Sequence, residues 1–366
     1  MKKEALLESL SNFHPIYLIF PLCLIFLLLF KESKLKTCLI VIGFIFIFVF
    51  AETGADYNGY KEIYEKCLNE EVHGEFLFVA LCKCFKLIGV SYNCFRIIFL
   101  TSFIILFAYS LSNMTKNFTL SFLIAYLMYV VYFVSALRQF ATMAILFYSL
   151  YLYLNKNKTI IPIILNIVAV FIHTLALVQL LVLTILIFYE KTIKKKKSIE
   201  KGILKKWFLI VFFSCLVLRL ILFVVLKTSF GAILVDFLPY KNLSLINLGL
   251  ISRVVILICL TNLYVGSKDS DNSNLLFSVY FIGLLLYLIF PFELIMGRLI
   301  NNIKMLEILL IPSLISSFEL KKHGSNTKSV VFKICVITLI IAICLIFLSQ
   351  LVVQIGYNEY VHMLWG

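Results

Sequence analysis

Apolar stretches of about 20 residues, the length that crosses a bilayer as a helix, recur along the whole chain. Short polar connections separate them. The pattern predicts an all-α, polytopic integral membrane protein with about twelve transmembrane helices in a single transmembrane domain, residues 1–366. The predicted spans are 14–30, 36–51, 95–113, 118–136, 138–154, 159–172, 174–189, 207–227, 249–266, 274–291, 298–318 and 330–351.

Lysines are concentrated in four connections between the apolar stretches, and their distribution sets an orientation. Connections rich in lysine and arginine stay on the cytoplasmic side of a membrane. The longest of them, 190–206, is therefore predicted to be a cytoplasmic basic loop. In contrast, segment 52–75 carries seven of the nineteen acidic residues and is predicted to lie outside. The four lysine-rich connections are 31–36, 155–158, 190–206 and 319–333.

The parity of the crossings places two further segments. The apolar run 159–189 lies between two lysine-rich connections, so it must cross twice, as a hairpin with His173 near its outer apex. Counting 76–90 as a span would put a lysine-rich connection outside, so we interpret it as an amphipathic helix on the outer membrane surface. The outer loops are therefore 52–94, which includes this helix, and 228–248.

Composition excludes several classes of function. Hydrophobic residues make up 62% of the chain, and the mean hydropathy is +1.04. The net charge of +14 comes from lysines in the connections, which membrane topology explains, so no nucleic-acid partner is expected. The cysteines and acidic residues show no complete metal-ligand spacing, and no glycine-rich nucleotide motif is present. We therefore expect neither a metal nor a cofactor.

The outer loop combines carboxylates with tyrosines. Asp56 and Glu75 lie there together with Tyr57 and Tyr60. Carboxylates accept hydrogen bonds from sugar hydroxyls, and tyrosine rings offer flat faces with a polar tip, so this composition suits a carbohydrate ligand. A solvated loop with tyrosines at the membrane surface would have the same composition.

Four of the chain's five arginines, which lie in apolar stretches or at their ends, are candidates for binding an anion. An arginine at this depth is costly unless it meets an anion, a carboxylate or lipid headgroups, so these residues predict a cationic pocket. For Arg138, which Gln139 follows, contact with lipid phosphate is the alternative. His173 is either a general base or a hydrogen-bonded structural residue. The four arginines are Arg138, Arg219, Arg253 and Arg298.

Five short motifs follow one another in a fixed order over about residues 50–315. They are "DYNGYKEIYEK", "EFLFVALCKCFKLIGVSYNCFR", "ALRQFATMAILFYSLYLYL", "VAVFIHTLALVQLLVL" and "GRLINNIKMLEILLIP". In this order they resemble the EpsG-like group of Wzy polysaccharide polymerases. The resemblance implies a multi-pass glycosyltransferase of the bacterial inner membrane that joins oligosaccharide repeat units carried on undecaprenyl pyrophosphate. Its products would be O-antigen of lipopolysaccharide, capsule or exopolysaccharide, and its active site would face the periplasm or the cell exterior.

Such a reaction needs groups that stabilise a departing pyrophosphate and accept a proton from a hydroxyl. The candidates are Arg138, Arg219, Arg253 and Arg298 for pyrophosphate, Asp56, Glu75 and His173 for catalysis, and Tyr57, Tyr60 and Gln139 for sugars. The implied partners are the lipid-linked oligosaccharide, membrane lipids, a chain-length regulator and a flippase.

Two alternatives remain open from the sequence. A flippase for the lipid-linked oligosaccharide would also have about twelve spans and a cationic interior. It would need charges that both faces can reach, whereas the polar groups predicted here concentrate near the outer side. A ligase that passes the glycan to a different acceptor would differ only in that acceptor.

Overall fold

Helices account for nearly all of the described structure, which confirms the prediction of an all-α chain. The structure is a computed structural model of the chain and describes residues 15–52, 56–70, 72, 74–193, 201–228, 248–267, 271–291, 300–318, 326–350 and 361–362. In chain order the elements are α1 (Ile16–Leu27), α2 (Lys34–Phe44), β1 (Ala51–Glu52), α3 (Tyr57–Lys66), α4 (Phe76–Leu87), α5 (Tyr92–Met114), α6 (Phe118–Val134), α7 (Leu137–Lys156), α8 (Ile160–Ile172), α9 (Ala176–Ile193), α10 (Lys201–Leu226), α11 (Leu248–Gly266), α12 (Asp271–Ile289), α13 (Asn301–Lys304), α14 (Glu307–Ser317), α15 (Asn326–Gln350) and β2 (Val361–His362).

Each predicted span overlaps at least one helix, because a helix satisfies its own backbone hydrogen bonds where water is absent. Among the described residues, three stretches are long and apolar enough to cross a membrane: Tyr92–Met114, Gly249–Gly266 and Ser329–Gln350. Shorter apolar helices accompany them. The total of twelve crossings and the surface position of α4 stay predictions.

Local residues determine where several helices begin and end. Oγ of Ser33 accepts a hydrogen bond from the backbone N–H of Lys36 at 3.1 Å, and Oδ1 of Asn117 accepts one from that of Leu120 at 2.9 Å. These caps satisfy N–H groups that have no partner in the first turn of a helix. Helix α7 ends at Asn157, which takes a left-handed φ of 52° that asparagine tolerates.

The chain forms two compact units. The first comprises residues 1–180 and 343–366, and the second comprises 181–342. In the first unit, β1 and β2 pair antiparallel, with Ala51 opposite His362. The prediction of a single transmembrane domain concerns how the chain sits in the bilayer, and it stays a prediction.

Phenylalanines form much of the core of the first unit. The ring centroid of Phe107 in α5 lies 5.6 Å from that of Phe133 in α6 and 4.9 Å from that of Phe147 in α7. The rings of Phe133 and Phe140 are 4.8 Å apart. Tilted and edge-to-face contacts of this kind add to the stabilisation from apolar burial. They fix the start of α7, which carries Arg138.

Candidate active site around Glu75

Three tyrosines pack helix α3 against the rest of the first unit. Tyr57, Tyr60 and Tyr64 follow at intervals of three and four residues, which places them on one side of the helix, and all three are buried. The hydroxyl of Tyr57 donates to Oδ1 of Asn93 at 2.7 Å, and that of Tyr64 donates to the carbonyl oxygen of Val90 at 2.6 Å. Helix α3 is therefore a packed support for the residues beside it.

The carboxylate of Glu75 connects three segments of the chain. Its Oε1 lies 2.7 Å from Nδ1 of His173, and its Oε2 pairs with Nη1 of Arg138. The backbone N–H of Thr174 lies 3.4 Å from the same Oε1. Glu75 precedes α4, Arg138 lies in the first turn of α7, and His173 lies between α8 and α9. In the sequence Arg138 lies 63 positions and His173 98 positions from Glu75, yet both contact its carboxylate.

The guanidinium of Arg138 lies over two aromatic rings. Its Cζ is 5.3 Å from the ring centroid of Tyr60 and 5.5 Å from that of Phe78. The contact is favourable because the faces of aromatic rings carry partial negative charge. Nε of Arg138 is buried and has no hydrogen-bond partner among the described residues. A fixed guanidinium with a remaining donor is suited to an anionic ligand.

The side chain of Glu75 stays ionised over a wide range of pH. Burial alone would raise its pKa, but the hydrogen bond with His173 and the positive charge of Arg138 outweigh burial and lower the pKa to about 2. Burial raises the pKa of Tyr60, and the charge of Arg138 opposes this shift. At neutral pH a negative charge therefore lies between the arginine and the histidine.

His173 is positioned by its backbone as well as by Glu75. It ends α8 in an extended conformation, and its backbone N–H donates to the carbonyl oxygen of Ala169 at 2.9 Å. With a carboxylate at Nδ1, the neutral imidazole carries its proton there and keeps a lone pair on Nε2. No described residue forms a hydrogen bond with Nε2. The ring can therefore accept a proton from a bound hydroxyl.

Asp56 and Gln139 lie beside these groups. The backbone N–H of Asp56, at the start of α3, donates to Oγ of Ser135 at 3.2 Å. Burial is the largest cause of the raised pKa of Tyr60, Arg138 opposes it, and the charge of Asp56 adds to it. The carboxylate of Asp56 is therefore close to that ring. Gln139 is buried, and within the described part of the chain its Nε2 has no hydrogen-bond partner.

Arg219 and Arg253 belong to the second unit and have protein partners there. Nη1 of Arg253 donates to both carboxylate oxygens of Glu307, at 2.9 and 2.7 Å, and the hydroxyl of Tyr280 donates to the same carboxylate at 2.6 Å. Nη1 of Arg219 donates to carbonyl oxygens at the end of α12, one of them at 2.7 Å. Such partners offset the cost of burying a charge. Arg298 lies outside the described residues.

The sequence pattern did not indicate Arg96 or Phe78 as residues of the site. Arg96 of α5 is 1% exposed and donates to the carbonyl oxygen of Val49 at 2.8 Å. Its signal in the sequence is a charge inside an apolar stretch, and such a charge usually faces the protein interior. Phe78 had no comparable signal, because one more phenylalanine in an apolar segment predicts only burial.

The arrangement around Glu75 suits a reaction in which a hydroxyl loses a proton and an anion departs. His173 offers a proton acceptor, and Arg138 offers a fixed positive charge. Among the described residues, no group of three or more histidine, cysteine, aspartate or glutamate side chains could hold a metal ion. The positive charge beside Glu75 in the structure is that of the Arg138 guanidinium.

Comparison with known proteins identifies the family. The sequence model of the EpsG family matches residues 35–362. No curated protein and no solved structure gives a significant match. The family and the apolar helices identify a membrane protein of polysaccharide biosynthesis. Because the match covers most of the sequence and includes Glu75, Arg138 and His173, the chain belongs to the EpsG family.

Proposed function

We propose that the protein is a polymerase that joins undecaprenyl-pyrophosphate-linked oligosaccharide repeat units at the outer face of the bacterial inner membrane. Its product would be O-antigen, capsule or exopolysaccharide. Membership in the EpsG family supports the polymerase activity. The observation that carries the site is the single carboxylate of Glu75, which contacts both Arg138 and His173.

The proposed reaction is a glycosyl transfer with pyrophosphate as the leaving group. The acceptor hydroxyl oxygen bonds to the anomeric carbon of the growing glycan, and the bond from that carbon to the lipid pyrophosphate breaks. Nε2 of His173 takes the hydroxyl proton, while the guanidinium of Arg138 stabilises the negative charge that develops on the pyrophosphate. The bond pair of the broken C–O bond stays with the pyrophosphate, so no redox partner is needed.

Glu75 has a supporting part in this proposal. Both of its oxygens are engaged, one by Arg138 and one by His173, which leaves it less suited to take the substrate proton. Its lowered pKa of about 2 also makes it a weak base. It orients the imidazole and would stabilise the imidazolium that forms. Asp56 is the second candidate for the proton acceptor.

The remaining candidates receive different amounts of support. Gln139 follows Arg138 in sequence and has a buried Nε2 without a partner among the described residues, which supports a contact with the sugar or pyrophosphate. The rings of Tyr57 and Tyr60 are buried in packing contacts, which supports a role in positioning more than one in sugar stacking. We extend the proposal to pyrophosphate binding by Arg219, Arg253 and Arg298. We extend it also to contacts with a chain-length regulator or a flippase.

The substitution Arg138→Lys tests the contact with pyrophosphate. Lysine keeps the charge but loses the planar fork and the contact over Tyr60. We expect turnover to fall about a hundredfold or more, with single repeat units on the cell surface and membrane abundance near wild type. Lys86→Gln is the matched control, because Lys86 of α4 forms an ion pair with Glu65 of α3. These are the two helices whose aromatic rings Arg138 contacts. This control should leave chain length unchanged.

Other outcomes would contradict the proposal. Normal chains from Arg138→Lys would mean that this arginine does not bind the pyrophosphate. Accumulation of the lipid-linked unit inside a deletion strain would indicate a flippase. Long chains that remain on the lipid carrier in that strain would indicate a ligase.

A further inference from the structure

Arg96 of α5 is buried in a network of polar contacts that the candidate reaction does not use. Its Cζ lies 5.5 Å from the ring centroid of Tyr57, and its Nη1 donates to the carbonyl oxygen of Val49. The hydroxyl of Tyr57 donates to Oδ1 of Asn93, whose Nδ2 donates to Oε1 of Glu52, each at 2.7 Å. We name these five residues, Val49, Glu52, Tyr57, Asn93 and Arg96, the Arg96 network.

A buried guanidinium is costly unless its environment compensates for lost hydration. Arg96 is 1% exposed, and its Nη2 has no hydrogen-bond partner among the described residues. Its compensation comes from the ring face of Tyr57 and the carbonyl oxygen of Val49, so it depends on the accurate position of these two groups. This makes the place of Tyr57 sensitive to the side chain at position 96.

The Arg96 network includes the first residue of helix α3. Tyr57 is its first residue, and the hydroxyl of Tyr92 also donates to the backbone carbonyl oxygen of Tyr57, at 3.3 Å. One turn later, on the same side of the helix, the ring of Tyr60 lies against the guanidinium of Arg138. A rigid helical turn passes a shift at Tyr57 on to Tyr60.

We infer that Arg96 is a positioning residue for the candidate active site, which acts through Tyr57 and the first turn of α3 on Tyr60 and so on Arg138. The inference rests on the proposed function, because it assigns Arg96 an effect on the step in which pyrophosphate departs. Arg96 itself does not touch the reacting atoms. A misplacement of about 1 Å at a reacting group can lower turnover about a hundredfold.

The substitution Arg96→Lys tests this inference by kinetics. Lysine keeps a charge and a donor for Val49 but has no planar group to lie over Tyr57. For purified protein with lipid-linked repeat units, we expect kcat to fall about tenfold or more and the KM for the acceptor to change less than about twofold. In a Tyr60→Ala background the same substitution should change kcat much less, because the path through Tyr60 is already broken.

Hydrogen exchange measured by mass spectrometry gives a second readout that does not depend on activity. Backbone amides of α3 should exchange faster in Arg96→Lys. Lys36→Gln is the matched control, because Lys36 is also a buried cation whose Nζ donates to carbonyl oxygens, those of Leu27 at 3.1 Å and Phe30 at 2.9 Å. Its loss should lower protein yield without changing kcat or exchange in α3. If Arg96→Lys does not fold, Tyr57→Leu breaks the same link.

The outcomes separate the inference from the proposed function. Faster exchange in α3 with a wild-type kcat would overturn the inference and leave the proposed function standing. The inference would also be overturned if the fold-reductions in kcat from Arg96→Lys and Tyr60→Ala multiplied fully in the double variant. The two residues would then act independently. A wild-type protein that does not polymerise repeat units would overturn both.

Discussion

Both carboxylate oxygens of Glu75 are engaged, and the two partners depend on it in different ways. Arg138 gains a counter-charge, whereas His173 gains a fixed ring orientation and tautomer. Removing the shared partner of a half-buried pair leaves both neighbours less well satisfied than before. Substitution of Glu75 should therefore disturb Arg138 and His173 together.

We expect the stabilising effect of Glu75 to depend on pH. A carboxyl whose pKa is lowered in the folded state stabilises the protein above the ordinary pKa of 4.5, and this effect is lost as the pH falls towards about 2. Purified wild-type protein in detergent should therefore unfold at a higher temperature than Glu75→Gln at neutral pH. The difference should shrink between about pH 4.5 and about pH 2.

Glu62→Gln provides the control for this titration. Glu62 on α3 also has a lowered pKa, from its hydrogen bond and ion pair with Lys66 at 2.9 Å, but it is exposed. Exposed ion pairs contribute little to stability, so its substitution should change the unfolding temperature little at any pH. A Glu75→Gln difference that stays constant into acid would contradict the ionised, doubly paired carboxylate.

The sequence identified the residues around Glu75 separately but not their arrangement. Arg138 was a candidate because an arginine at the end of an apolar stretch is costly without a partner. Glu75 was a candidate as a carboxylate of the outer loop, and His173 because an imidazole can act as a general base. Their meeting depends on how α4, α7 and α8 pack, and no local pattern encodes that packing. Tyr57 was a candidate for sugar binding, but its hydroxyl contacts Asn93, a partner that the spacing of tyrosines could not identify.

Helix α3 is the element on which the surroundings of Arg138 depend. It is short, 10 residues, and an isolated helix of this length is marginal in water. Its buried tyrosines supply the packing that stabilises it. Loss of one tyrosine contact should therefore loosen the whole element.

We expect Tyr64→Phe to lower the stability of the protein by about 1 kcal/mol, because the hydrogen bond to the carbonyl oxygen of Val90 at 2.6 Å is lost. Thermal unfolding in detergent and the rate of proteolysis within α3 would measure this. Tyr109→Phe is the control, since Tyr109 is 50% exposed and its hydroxyl lies 3.5 Å from that of Tyr151. Equal shifts for the two variants would contradict the packed position of α3.

At the level of helices, apolar length predicted where the elements lie but not their irregularities. The predicted span 298–318 contains a break at Met305 and Leu306 between α13 and α14. Residues Ile45–Val49 continue α2 as a π-helix, and Tyr129 has non-helical angles inside α6. Such features arise from packing against neighbouring helices, and a count of apolar residues does not contain that information.

The orientation of the whole molecule can be tested by cysteine labelling. In a cysteine-free background, Asn58→Cys on the exposed side of α3 should react with a membrane-impermeant thiol reagent in intact cells. Lys158→Cys, in an exposed lysine-rich connection, should react only after the membrane is permeabilised. Labelling of Lys158→Cys in intact cells would mean that the predicted orientation is wrong.

The pairing of β1 with β2 has a consequence for the order in which the protein assembles during translation. Ala51 leaves the ribosome long before His362, and the whole second unit, residues 181–342, is made between them. Throughout that interval β1 has no partner strand, and an unpaired strand edge can associate with other chains. Because Glu52 of β1 also accepts from Asn93, the supports of α3 are complete only after the second unit has been synthesised. Substitutions that delay insertion of the second unit should therefore lengthen the period in which the nascent first unit is prone to aggregate.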